Sequence, residues 1–144
     1  MRRLFVLVVL TAGCGDETPM NLCDARPDAG FPGALAPPVV DLRFVPDALD
    51  FGDVPLGTTS TRAVRLEHNG NVDAVLTRPL TTAAFDVKYP RALPFELPAY
   101  DQIDVQVTIT PTVAEAIRGG HQIDGERAGC WSTTATLVLE GAGS

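Results

Sequence analysis

The sequence predicts an all-β protein: an antiparallel sandwich of about seven strands with at most one short helix, occupying residues 39–144. Three observations lead there. Several stretches alternate apolar and polar residues with period two, the pattern of a strand with one buried and one wet face. Those stretches are short and are separated by Gly, Pro and Asn, the residues that turn a chain. A single segment carries a helix-start signal.

Taken in order, VVDLRF sets Val40, Leu42 and Phe44 on one face. AVRLEH opposes Val64 and Leu66 to Arg65 and Glu67, and FDVKY groups Phe85, Val87 and Tyr89. In QIDVQVTIT, Ile103, Val105, Val107 and Ile109 alternate with Asp104, Gln106 and Thr108. TATLVLE closes the series with Ala135, Leu137 and Leu139 opposite Thr136, Val138 and Glu140. NGNVD, at residues 69–73, reads as a hairpin turn. Thr112 and Glu115 have capping-box spacing, which predicts a helical turn or two ending at Gly119-Gly120, with a plain loop as the alternative. Residues 113–131 lack apolar alternation, so a strand there is expected to be short, missing or replaced by a loop. His68 falls at a strand end and His121 in a Gly-rich loop.

The chain has 144 residues, enough for one domain, with 18 acidic against 11 basic residues and a net charge of −7. A surface of that sign repels polyphosphate, which argues against nucleic acid as a partner. It also repels anionic lipid headgroups, so any membrane attachment must be covalent or hydrophobic.

The first residues answer that requirement. Arg2 and Arg3 form a positive start, residues 4–10 are apolar, and Thr11, Ala12 and Gly13 are small, the pattern of an export signal. Seven apolar residues rise only about 10 Å as a helix, far short of a bilayer core of about 30 Å. LTAGC, residues 10–14, resembles the lipobox of bacterial lipoproteins, in which the cysteine is acylated and becomes the first mature residue. Thr11 stands where that family usually has leucine. The resemblance implies a signal peptide at 1–13, a lipidated Cys14, and membrane attachment through the acyl chains. Gly15, rather than aspartate, after the cysteine favours the outer membrane of a bacterial envelope. Residues 14–38 then form a tether. From residue 15 it holds five prolines and no sustained apolar period, and at about 3.1 Å per residue it reaches roughly 70 Å fully extended.

LDFGDVPLGTTSTRAVRLEHNGN, residues 49–71, resembles the opening of an ASH-type, or choice-of-anchor D, immunoglobulin-like domain. Leu49, Phe51, Gly52, Val54 and Gly57 carry the motif. ITPT at 109–112 resembles the later Phe-x-Pro segment, and LEGAG at 139–143 the closing Leu-x-Gly-x-Gly. Two positions depart from the pattern: His68 replaces the usual asparagine, and Ile109 the usual phenylalanine. In this reading Phe51 and Val54 plug the core, while Gly52 and Gly57 permit turns or bulges. None of these positions is chemical.

With Cys14 acylated, Cys23 and Cys130 remain, an even number in an exported chain, and are expected to pair as a disulfide; two free thiols are the alternative. Trp131 beside Cys130 is expected to pack in the core against the disulfide, with an exposed contact residue as the alternative. A metal site from Cys23, Cys130 and either histidine lacks any close-spaced ligand pair. Asn69, Asn71 and Asp73 alternate like the start of a calcium loop, but position twelve is Leu80 rather than Glu. No Gly-x-Ser-x-Gly elbow is present. The expectation is therefore a non-enzymatic protein with no catalytic residues, cofactor or metal. It presents a binding or scaffold module to a protein or glycan partner, with its oligomeric state open. A structural spacer or assembly subunit is the first alternative, and a small hydrolase built on His68 or His121 the second.

Overall fold

A computed structural model describes residues 38–127 and 131–144, with the side chain of Trp131 outside the description. Nine β-strands and no helix make up the described residues, in two sheets facing each other. The four-stranded sheet holds β1 (Leu42–Val45), β3 (Ser60–His68), β7 (Gln102–Ile109) and β5 (Phe85–Lys88), in the spatial order β1-β3-β7-β5. The five-stranded sheet runs β2-β9-β8-β4-β6, with β2 (Ala48–Val54), β9 (Trp131–Gly143), β8 (Ala116–Arg127), β4 (Ala74–Thr81) and β6 (Phe95–Leu97). All pairings are antiparallel except that of β2 with β9.

The expected alternation is what closes the sandwich. Leu42 and Phe44 on β1, Val64 and Leu66 on β3, and Val105, Val107 and Ile109 on β7 all point inward and are buried. Leu76, Ile123, Ala135, Leu137 and Leu139 meet them from the five-stranded sheet. Phe51 and Val54 are buried as the motif required, and Phe51 packs against Phe85 with ring centroids 6.0 Å apart. Gly52 and Gly57 have φ of +64° and +73°, a region most side chains avoid. Gly52 lies within the register shift between Asp50 and Asp53 on β2, a bulge that Asp50 stabilises by accepting the Gly52 N–H at 2.8 Å.

Three expectations need correction. The 113–131 region is not short of strand: β8 spans twelve residues and lies in the middle of its sheet. HQIDGE does alternate once His121 is counted with Ile123 and Gly125 as inward-facing, and all three are buried. The capping-box segment forms no helix; Glu115 N–H bonds Val113 C=O in a turn, and from Ala116 onward β9 takes the chain into its ladder. Residues 69–73 are not a hairpin turn, because β3 and β4 belong to different sheets and the chain crosses between them there. Asn71 secures that crossing: its N–H bonds Val39 C=O at 3.0 Å and its Oδ1 accepts the Val39 N–H at 2.7 Å. Cys14, Cys23 and Cys130 lie outside the described residues.

Register also defines the two ends of the sandwich. Leu42 and His68 pair at one end, while Ser60 and Phe85 both pair with Ile109 at the other. The length of β3 separates these ends by about 27 Å. Val39 enters beside His68, and Gly57, Pro111 and Ser144 cluster at the far end.

Candidate functional site

Both histidines are buried, at 1% exposure for His68 and 0% for His121, and they occupy different places. His68 ends β3 with Nδ1 3.1 Å from both Gly70 N and Asp41 O, and Nε2 2.6 Å from Val72 O. An Nε2–H donating to the Val72 carbonyl, with the Gly70 N–H donating to Nδ1, satisfies both ring nitrogens of the neutral form. The ring thereby holds the 69–72 crossover in place, which accounts for histidine where the resembled family has asparagine.

His121 is not in a loop, as the flanking glycines led us to expect, but inside the sandwich on β8. Its Nδ1 lies 2.7 Å from Thr81 Oγ1 on β4, and its Nε2 2.7 Å from the hydroxyl of Tyr89, just past β5. Phe44 on β1 meets the ring edge-on at a centroid distance of 5.8 Å. The imidazole therefore ties the two sheets together through polar contacts within an apolar core. Burial lowers the His121 pKa to about 4, against a smaller opposing effect of the Leu80 backbone carbonyl. Burial likewise pushes the Tyr89 hydroxyl up, so it remains a phenol. A threonine hydroxyl against an imidazole has the parts of a nucleophile–base pair. Here the ring is sealed from substrate, and the arrangement is that of a satisfied core network.

The oxygens of the calcium-like alternation are engaged by the backbone: Asn71 Oδ1 accepts from Val39 and Asp73 Oδ1 from Ala99, at 2.9 Å. Among the described residues no group of three His, Cys, Asp or Glu side chains converges as a metal site would require.

A surface cleft lies elsewhere, at the far end of the sandwich. It measures about 550 Å³ and opens between the start of β5 and the start of β8. Phe85 and Asp86 form one wall, Ile117 and Arg118 the other, and Val113 and Glu115 border it. Sequence reasoning missed it, because its walls are adjacent only through sheet stacking.

No protein-family profile matches the chain, and no curated protein matches it by sequence. Solved structures do share its fold. The ASH/PapD-like domain of human CEP192 (PapD-like domain 7) superposes with a TM-score of 0.57 at 16% identity, covering 79% of this chain and 96% of that domain. The Vibrio cholerae VesB protease matches with a TM-score of 0.58 at 15% identity, covering 72% of this chain but 31% of that one. A Porphyromonas gingivalis W83 protein of unknown function gives 0.53 at 16% identity, covering 73% of this chain and 46% of that one. At such identities the likeness is one of fold. The fold is thus an immunoglobulin-like β-sandwich, similar to that of the ASH/PapD-like domain.

Proposed function

We propose that this sandwich is a non-catalytic binding or scaffold module, held at the bacterial outer membrane by an acylated Cys14. Sandwich edges and end loops offer backbone and side-chain surface to macromolecular partners, and both histidines here are committed to the core. The observation that carries the proposal is the division of the two ends. The described chain enters beside His68 at one end, and the cleft opens at the other. A tether joined at Val39 holds the cleft end away from the lipid. Among the described residues no helix is long and apolar enough to cross a membrane. The lipobox-like LTAGC at residues 10–14 supports an anchor in the leader, where two or three acyl chains give slow release. The same reading pairs Cys23 with Cys130.

Fractionation of cells expressing the chain and its Cys14→Ser variant tests the anchor. Wild type is expected with membranes, carrying an acylated first residue by mass spectrometry, and the variant in the soluble fraction. Soluble wild type with a bare thiol would refute it. Crosslinking in intact cells separates the binding module from the assembly subunit: discrete partners support binding, whereas self-adducts alone support assembly. Alkylation without reductant reads the disulfide, which two labelled cysteines would exclude.

A further inference from the structure

The cleft owes its shape to a strand that ends early. β4 pairs with β8 only as far as Thr81 opposite His121. Thr82 then closes the ladder: its N–H bonds Gly120 C=O at 3.0 Å, and its Oγ1 accepts the Gly120 N–H at 3.0 Å. A turn, with Phe85 N–H on Thr82 C=O, carries the chain across to β5. β8 nevertheless begins at Ala116, and residues 116–119 pair with β9 on one side and with no strand on the other. Peptide groups along an antiparallel strand point to alternate sides. Gly120 points toward Thr82, so the N–H and C=O of Arg118 and Ala116 point the same way, into the cleft.

This open edge differs from those of the four outermost strands of the two sheets. β1 has four residues and is followed by Pro46, β5 has four and leads to Pro90, and β6 has three between Pro94 and Pro98. β2 is longer but bulged at Gly52 and ends before Pro55. Shortness, proline and bulges are devices that discourage pairing with another chain. The 116–118 edge is equally short but carries neither proline nor bulge, and it has a walled cleft in front of it. Ala83, Ala84 and Ala116 in the lining leave room for incoming side chains. Asp86 and Glu115 line the same space, and neither forms an ion pair among the described residues. Arg118 already has Glu140 at 3.7 Å. Two carboxylates against one guanidinium, itself beside Glu140, leave the site net negative, which favours a cation.

We propose that the cleft receives an extended basic peptide segment of a partner protein, which pairs antiparallel with residues 116–118 and so continues β4. The inference rests on the binding-module reading and names its site and ligand chemistry. Backbone pairing supplies the affinity, and the carboxylates of Asp86 and Glu115 select the sign of charge.

The test uses the purified full chain and an array of hexapeptides with Arg or Lys at alternate positions and all residues varied between them. A matched array carries Asp or Glu instead. Binding is expected on the basic array alone. The best binder, remade with N-methyl groups on alternate peptide nitrogens, should bind about tenfold or more weakly in the register that faces β8. On binding, the Ala116 and Arg118 amides should gain protection from hydrogen exchange. Asp86→Asn with Glu115→Gln should weaken binding, with little change in the thermal midpoint of the free protein. Arg118→Pro removes an outward N–H without removing a bond to β9, and should do the same if it folds. Equal binding to both arrays, indifference to N-methylation in both registers, or no binder at all would overturn the proposal. If discrete partners are still crosslinked in cells, such a failure removes the cleft and leaves the binding module standing.

Discussion

Replacing His121 with glutamine should remove a defined part of the protein's acid sensitivity. Folding holds this imidazole neutral, with a pKa of about 4 against 6.5 for an ordinary histidine, because burial penalises the charged form. The unfolded chain therefore binds a proton more readily than the folded one throughout that interval. The contribution of His121 to stability is complete above 6.5, falls as pH drops, and levels off below about 4. Linkage gives a loss of about 2 kcal/mol between roughly pH 7.5 and pH 5, within a ceiling of about 3 kcal/mol. For a domain of this size that corresponds to roughly 10 °C in thermal midpoint. His121→Gln keeps a donor and an acceptor for Tyr89 and Thr81 but cannot titrate. Urea denaturation of both proteins at the two pH values is the assay. The wild type should lose about 2 kcal/mol more than the variant on acidification. Equal losses would show that the buried imidazole is not the acid-sensitive group, and the reasoning would fail.

Three other substitutions probe the scaffold. Gly52→Ala should cost about 1–2 kcal/mol by urea denaturation, because φ is +64° and a Cβ there meets nothing within 4 Å, so the cost is purely one of backbone conformation; no change would refute that. Leu76→Ala, at a fully buried position between the sheets, should cost about 2–5 kcal/mol through lost burial and a residual cavity. A loss below about 1 kcal/mol would place Leu76 outside the tightly packed core. Tyr100 is 74% exposed and has φ of +61° in the turn closed by Asp101 N–H on Pro98 C=O. Tyr100→Gly relieves that conformation against a smaller entropy cost, for a gain of up to about 1 kcal/mol; a clear loss in thermal midpoint would contradict it.

Much of the sandwich was legible because strand alternation is a local property. Leu42 with Phe44, Val105 with Val107 and Ile109, and Leu137 with Leu139 declared their buried face from spacing alone. The errors fell where that local signal was weak. β8 carries glycine and histidine at inward positions, and neither registers as apolar, so a central strand read as a loop. The segment at 112–118 has a helix-start signal that a single turn cannot sustain against a thirteen-residue neighbour, β9, offering a ready ladder.

What the sequence determined by itself was the alternation of faces, the turn and bulge glycines and the acidic balance, together with the expectation of a leader ending just before Cys14. Each of these depends on residues close together along the chain or on a sum over all of them. Tertiary structure alone decided which strands became neighbours. It brought Thr81, Tyr89 and His121 together from three strand regions, made the β2–β9 pair parallel, and stopped β4 short of residues 116–118. Those outcomes depend on how two sheets stack and where one strand leaves its partner. Such choices are settled by the packing of the whole core, so no short window of residues encodes them.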